Sequence, residues 1–155
     1  MAVEDLGRYL REHPFLQGME DRHIETIVGC ASNVVFNPGD YVYREGQDAS
    51  TFYFIRHGRV SVEIHAHNRG PIAIETMTEG EVLGWSWLFP PYKWHFDAKA
   101  TELVRATALD GKCLRGKCDT DHELGYELLK RFAHVVVNRM QATRLQLLDI
   151  YGTHD

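Results

Sequence analysis

Phe36-Asn37-Pro38-Gly39-Asp40-Tyr41-Val42-Tyr43-Arg44-Glu45-Gly46 sets two chain reversals around a short β-rich run. Proline fixes φ and lacks an N–H, and glycine supplies the positive φ of a tight turn. Pro38-Gly39 and Glu45-Gly46 therefore bracket Tyr41-Val42-Tyr43 as a strand between turns. The same punctuation continues at His57-Gly58, Asn68-Arg69-Gly70 and Glu79-Gly80. Runs rich in β-branched and aromatic residues lie between, predicting strands at 33–36, 40–43, 51–56, 59–65, 71–77, 98–102 and 104–109. Val60, Val62 and Ile64 alternate with Ser61, Glu63 and His65, so one face of that strand is apolar. Short strands at this spacing predict an antiparallel sandwich, roll or barrel.

Working outward, helical spacing takes over at both ends. Leu6, Tyr9 and Leu10 predict a short helix over 3–13, stopped at His13-Pro14 because a residue before proline avoids the α region. A second short helix opens at Glu20-Asp21, carries Ile24, Ile27 and Val28, and ends near Cys30. A long helix is predicted over 122–150. One stripe on it holds Leu129, Phe132, Val136, Met140, Thr143, Leu147 and Ile150, and a partial second holds Leu124, Leu128, Val135, Leu145 and Leu148. One stripe is expected to seal the roll and the other to meet a second copy, giving a homodimer. The expected organisation is a single domain over 1–155: a helical lead-in at 3–31, a β-roll at 32–110 with an insertion at 83–97, and C-terminal helices at 111–150. The fold class is α+β, an antiparallel β-roll of double-stranded β-helix or jelly-roll kind, with short N-terminal helices and a long C-terminal helix.

Composition narrows the function classes. With 155 residues, 44% hydrophobic and 25% charged, the chain can bury a core without staples. No stretch approaches the roughly 18 apolar residues of a membrane span. Met1-Ala2-Val3-Glu4-Asp5 lacks the features of a signal peptide, so a cytoplasmic setting is expected. Cys30, Cys113 and Cys118 are an odd set that suggests no disulfide framework, and Cys30 is expected to pack as a small hydrophobe. A net charge of −5 argues against nucleic-acid binding. Among nine histidines, His65 and His67 at a hairpin tip are the pair spaced to share a metal, but no third ligand is evident and no metal site is expected. His134 has no nucleophile at a telling spacing and no phosphate-binding loop motif occurs, so no enzyme is expected.

The ordered set of Phe36–Gly46, the following Phe52-Tyr53-Phe54-Ile55-Arg56-His57-Gly58-Arg59-Val60, and the upstream Pro14-Phe15-Leu16 with its helix resembles the cyclic nucleotide-binding domain superfamily over roughly residues 13 to 150. The resemblance implies a ligand site in a loop and small helix between strands. There, backbone amides receive the cyclic phosphate, an arginine pairs with it and a glutamate binds the ribose. The corresponding segment is Val82-Leu83-Gly84-Trp85-Ser86-Trp87-Leu88-Phe89-Pro90-Pro91-Tyr92-Lys93-Trp94-His95-Phe96-Asp97-Ala98-Lys99-Ala100. Leu83-Gly84 matches the leading apolar-glycine pair and Leu88-Phe89 the small helix. The glutamate position falls on Trp85, and the arginine position near Trp94 or Phe96.

Loss of both polar anchors counts against cAMP or cGMP, because an apolar residue neutralises no phosphate; the two nucleotides stay open as ligands through Lys93, His95 or Lys99 and the backbone amides of Gly84–Leu88, and no other cofactor is expected. The pocket candidates are Gly84 and Ser86 for backbone amides, Trp85 and Trp87 for stacking, and Lys93 or His95 for charge, with Arg144 as a lid contact. Whether the aromatic segment lines a pocket or fills it is open at this level. The expected function is a small-ligand-sensing regulatory module in signal transduction, with an unidentified protein partner and no membrane. The alternative is an interaction scaffold plugged by its own tryptophans, and a DNA-binding regulator comes third. The family's transcription-factor branch carries a helix-turn-helix after the long helix, and since Ile150 lies close to Asp155, DNA reading by that route is not expected.

Overall fold

Strand β3 (Thr51–His57) is buried on both faces, and its alternation decides where the layers meet. Phe52 and Phe54 face the helices, while Tyr53 and Ile55 face the interior of the roll. The computed structural model describes residues 3–66, 68 and 70–152. Its lead-in comprises α1 (Val3–Glu12), a 3₁₀ turn (Pro14–Leu16) and α2 (Asp21–Val28). The other strands are β1 (Ala31–Phe36), β2 (Tyr41–Tyr43), β4 (Val60–Ala66), β5 (Gly70–Met77), β6 (Val82–Leu83), β7 (Asp97–Ala100) and β8 (Val104–Asp110). Helices α3 (Gly111–Thr120) and α4 (His122–Gly152) follow.

The strands form two antiparallel four-stranded sheets, ordered β1-β8-β3-β6 and β2-β7-β4-β5. This is the antiparallel roll with flanking helices that the turn grammar predicts. Strand β6 escaped the sequence reading because two residues show no alternation. Gly58 turns β3 into β4 with φ of +97°, and a Cβ there would stand 2.2 Å from the Leu103 carbonyl oxygen.

Two clusters fill the interior. One lies inside the roll, around Ile55, Val60, Met77, Trp94 and Val104. The other lies between the first sheet and the helices, around Leu16, Ile27, Phe52, Trp87, Leu114 and Phe132. On α4, Leu124, Leu128 and Phe132 are fully buried, whereas Leu129, Met140, Leu147 and Ile150 are exposed. Phe132 thus belongs to the sealing face together with Leu124 and Leu128, and residues 141–150 are exposed throughout.

The expectation that the cysteines are unpaired is corrected. Cys30 and Cys113 form a disulfide with a Cα separation of 6.1 Å across 83 residues of sequence. The end of α2 and the first turn of α3 pack on the same core, a proximity invisible in cysteine spacing. Cys118 is free.

His13 joins the lead-in to this core. Its Nδ1 accepts the Phe15 N–H at 3.1 Å, and its ring lies 4.5 Å from that of Phe54. Burial pushes its pKa below the ordinary 6.5. A His with a depressed folded pKa stabilises fully above the unfolded value, and that contribution is lost as pH falls through the folded one. Thermal melts between pH 7.5 and 5 should show the wild type losing stability faster than His13→Asn as pH falls; parallel slopes would contradict this role.

Candidate ligand pocket

The segment between β6 and β7 holds turns rather than a helix, closed by Leu88 N–H to the Trp85 carbonyl at 3.1 Å and Tyr92 N–H to the Phe89 carbonyl at 2.9 Å. The small helix implied for Leu88-Phe89 is replaced, and with it the helix N-terminus that would cradle a phosphate. Two of its three indoles are drawn into the core. Trp87 is fully buried and stacks on Phe52 at 4.7 Å, and Trp94 stacks on Tyr43 at 3.7 Å with an 8° interplanar angle. Arg115 of α3 donates to the Trp87 carbonyl, and its guanidinium lies 4.3 Å from the Tyr92 ring centroid, fixing the segment from behind.

Gly84 makes the Trp94 stack possible. It has φ of +97°, and a Cβ there would meet Trp94 Cη2 at 2.7 Å. Trp85, the third indole, is half-buried and packs edge-on against Phe96 at 6.2 Å.

A cavity of about 80 Å³ opens beside this pair. Tyr43, Leu83, Gly84, Trp85 and Phe96 contribute its aromatic and apolar wall, Val62, Ile74 and Glu75 its strand side, and Arg139 and Thr143 its cover from α4. Ligand pockets for drug-sized molecules run to roughly 300–1,000 Å³, so this one is closed down as it stands. Among the described lining residues Arg139 is the single cation, and it is ion-paired with Glu75. It also donates to Met77 Sδ at 3.1 Å and the Val82 carbonyl at 3.4 Å, and its guanidinium carbon lies 5.6 Å from the Trp85 ring. Tyr43 at the cavity floor is buried, which pushes its hydroxyl pKa well above the ordinary range.

Of the sequence candidates, Gly84 and Trp85 meet at this cavity. Ser86 and Trp87 are buried in the wall behind, away from the lining. Lys93 is ion-paired with Asp48, and His95 is exposed, both outside the cavity. Arg144 is exposed on the projecting part of α4. It lies five residues beyond Arg139, about 140° around the helix, so Arg139 rather than Arg144 lines the cavity from α4. His65 faces Asp97 with Nδ1 2.8 Å from Oδ2, and His67, its suggested metal partner, lies outside the described residues.

Glu75 was missed for a physical reason. Adjacent strand residues face opposite sides, so Ile74 and Glu75 should not share a cavity. In the register of β4 with β5, Val62 faces Glu75 and Glu63 faces Ala73, which leaves Ile74 as the extra residue of a bulge. The bulge brings both to the same wall.

Comparison with known proteins gives a consistent result. The sequence profile of the cyclic nucleotide-binding domain matches residues 33–121. The cGMP-dependent protein kinase 2 of Mus musculus is 30% identical over 83 residues, covering 52% of this chain and 11% of the kinase. The chain therefore spans about a tenth of the curated relatives it matches. A structure from Geobacter metallireducens, described as a cyclic nucleotide-binding protein, superposes with a TM-score of 0.77 at 22% identity, covering 90% of this chain and 98% of that one. The regulatory subunit of a cAMP-independent protein kinase A from Trypanosoma cruzi, bound to guanosine, gives a TM-score of 0.65 at 21% identity, with coverages of 88% and 50%. At these identities the structural likenesses show the fold.

The three indoles should separate by experiment. Trp85→Phe should remove most of the acrylamide-quenchable emission, while Trp87→Phe and Trp94→Phe leave it in place. Trp94→Ala should cost about 3–5 kcal/mol in urea unfolding, the usual range for deleting a buried aromatic. Equal quenching of all three indoles would contradict the division.

Proposed function

The chain belongs to the cyclic nucleotide-binding domain family, and from that premise we propose that it is a ligand-sensing regulatory module whose pocket takes an uncharged, planar, nucleoside-like molecule. We read residues 1–155 as one such domain in a cytoplasmic setting, regulating a protein partner and catalysing nothing itself. In a reducing compartment Cys30 and Cys113 would stand as thiols.

The observation that carries the reading is the charge state of the pocket. Its cation, Arg139, is already neutralised by Glu75. A cyclic phosphate would have to displace Glu75 and then lie beside that half-buried carboxylate, a like-charge contact. An uncharged ring system leaves the pair intact, stacks on Trp85 and offers N–H groups to the Glu75 carboxylate. The guanosine-bound relative, named cAMP-independent, supports this choice of ligand class. The small cavity means that the ligand enters as Arg139 and α4 move outward. Ligand thus biases the population of α4 positions, and the exposed 141–150 segment is the output.

A second reading, an interaction scaffold with no ligand, is favoured by the Trp94–Tyr43 stack that fills the roll. Under either reading the stripe Leu129, Val136, Met140, Thr143, Leu147 and Ile150 keeps a coiled-coil spacing, a seven-residue step and then four- and three-residue steps from Val136, and we assign it to a homodimer.

Calorimetric titration with guanosine, adenosine, cAMP and cGMP tests the ligand class. A nucleoside should bind at least about tenfold tighter than its cyclic monophosphate, a difference of roughly 1.4 kcal/mol. Tighter cyclic nucleotide binding would overturn the reading, and silence with all four would favour the scaffold. Sedimentation should find a dimer that Leu147→Glu with Ile150→Glu converts to monomer with the melting point of the roll retained. A wild type that is monomeric at every concentration would contradict the seam.

A further inference from the structure

Far from the pocket, His23 of α2 is 1% exposed, and neither of its ring nitrogens has a hydrogen-bond partner. Buried polar groups are nearly always paired, and an unpaired one points to a missing water or ion. The ring is aimed at carboxylates. Its Nε2 lies 3.6 Å from Asp121 Oδ2, and one ligand atom each from Glu20, His23 and Glu123 lie within 4.8 Å of one another. These groups come from opposite ends of the chain. Glu20 stands at the N-terminal boundary of α2, Asp121 ends α3, and Glu123 stands in the first turn of α4.

A tethered cation already answers this concentration of negative charge. Arg22 reaches Glu20 Oε2 at 2.8 Å through Nε, Asp121 Oδ2 at 3.3 Å through Nη1 and Glu123 Oε2 at 2.6 Å through Nη2. It does so from the surface, with its side chain 54% exposed, so it is free to swing away. The guanidinium satisfies the carboxylates and leaves the imidazole unsatisfied, which a metal ion would not.

We propose that Glu20, His23 and Glu123 form a binding site for a divalent transition metal of the Zn²⁺ kind, in which Arg22 supplies the counter-charge when the metal is absent. One imidazole with two carboxylates is a borderline donor set that suits Zn²⁺ better than the all-oxygen preference of Mg²⁺ or Ca²⁺. Two carboxylates balance the ion's charge, Asp121 adjoins as a further acceptor, and water completes the coordination. Bound metal would tie the lead-in to the root of α4, the helix that carries Arg139 to the pocket, and would stabilise the fold by mass action.

The test is calorimetric titration of the untagged full chain with ZnCl₂ and with MgCl₂, alongside melting scans. One Zn²⁺ should bind per chain and raise the melting point, with no comparable effect of Mg²⁺. Glu20→Gln and Glu123→Gln change exposed side chains, so both should fold, and each should weaken Zn²⁺ binding roughly tenfold or more. Arg22→Ala removes the competing cation and should tighten it. Absence of one-to-one binding at about 1 mM Zn²⁺, unchanged affinity in both glutamine variants, or weaker binding in Arg22→Ala would each overturn the proposal. Capture of the ion by His65 or another surface histidine falls under the second outcome.

Discussion

The packing of Phe132 against the stacked pair Phe52–Trp87 fixes the remainder of the architecture. Its ring meets Phe52 edge-on at 5.1 Å, Trp87 at 5.5 Å and Phe15 of the lead-in at 4.9 Å. One side chain thereby holds α4 to the strand, the insertion and the N-terminal turn together. Gly111 lets the layers close, since a Cβ there would stand 3.0 Å from both Trp87 Cβ and the Ser50 carbonyl oxygen. Seven residues are close to two helical turns, so clamping Phe132 also aims Arg139 at the same side of α4, over the cavity. Beyond Thr143 the apolar residues of the helix, Leu145, Leu147, Leu148 and Ile150, are exposed.

The pocket follows from this clamp. Trp87 is committed to the core and Trp94 to the interior of the roll, so the aromatic segment both fills and lines, with Trp85 and Phe96 on the cavity wall. Elsewhere along the segment charge is also spoken for. Asp97 accepts the Glu45 N–H at 2.7 Å and faces Arg44 at 3.4 Å and His65 at 2.8 Å, and Lys93 is paired with Asp48. The cavity is walled by rings and by a balanced Arg139–Glu75 pair.

The turns and strands were legible in sequence because proline and glycine act locally: Pro38-Gly39, Gly46 and Gly58 need no distant partner to declare a reversal. The aromatic character of the insertion was legible too, in Trp85, Trp94 and Phe96 themselves. What could not be read depends on register and on distant contacts. A bulge in β5 brings Glu75 to the cavity, and helical phase selects Arg139 over Arg144. Cys30 meets Cys113 across 83 residues, and Arg22 meets Glu123 across 101, so neither the disulfide nor the carboxylate cluster has a local signature. The choice between Trp85 and Trp87 as the pocket indole likewise turned on which one Phe132 had already claimed.

We propose that Glu75 keeps phosphate from the pocket by neutralising Arg139. The most direct measurement is the ratio of guanosine to cGMP affinity in the wild type and in Glu75→Gln. The ratio should fall by about tenfold or more in the variant, as the freed guanidinium becomes available to the cyclic phosphate. A ratio unchanged by the substitution, with both ligands still binding, would contradict it.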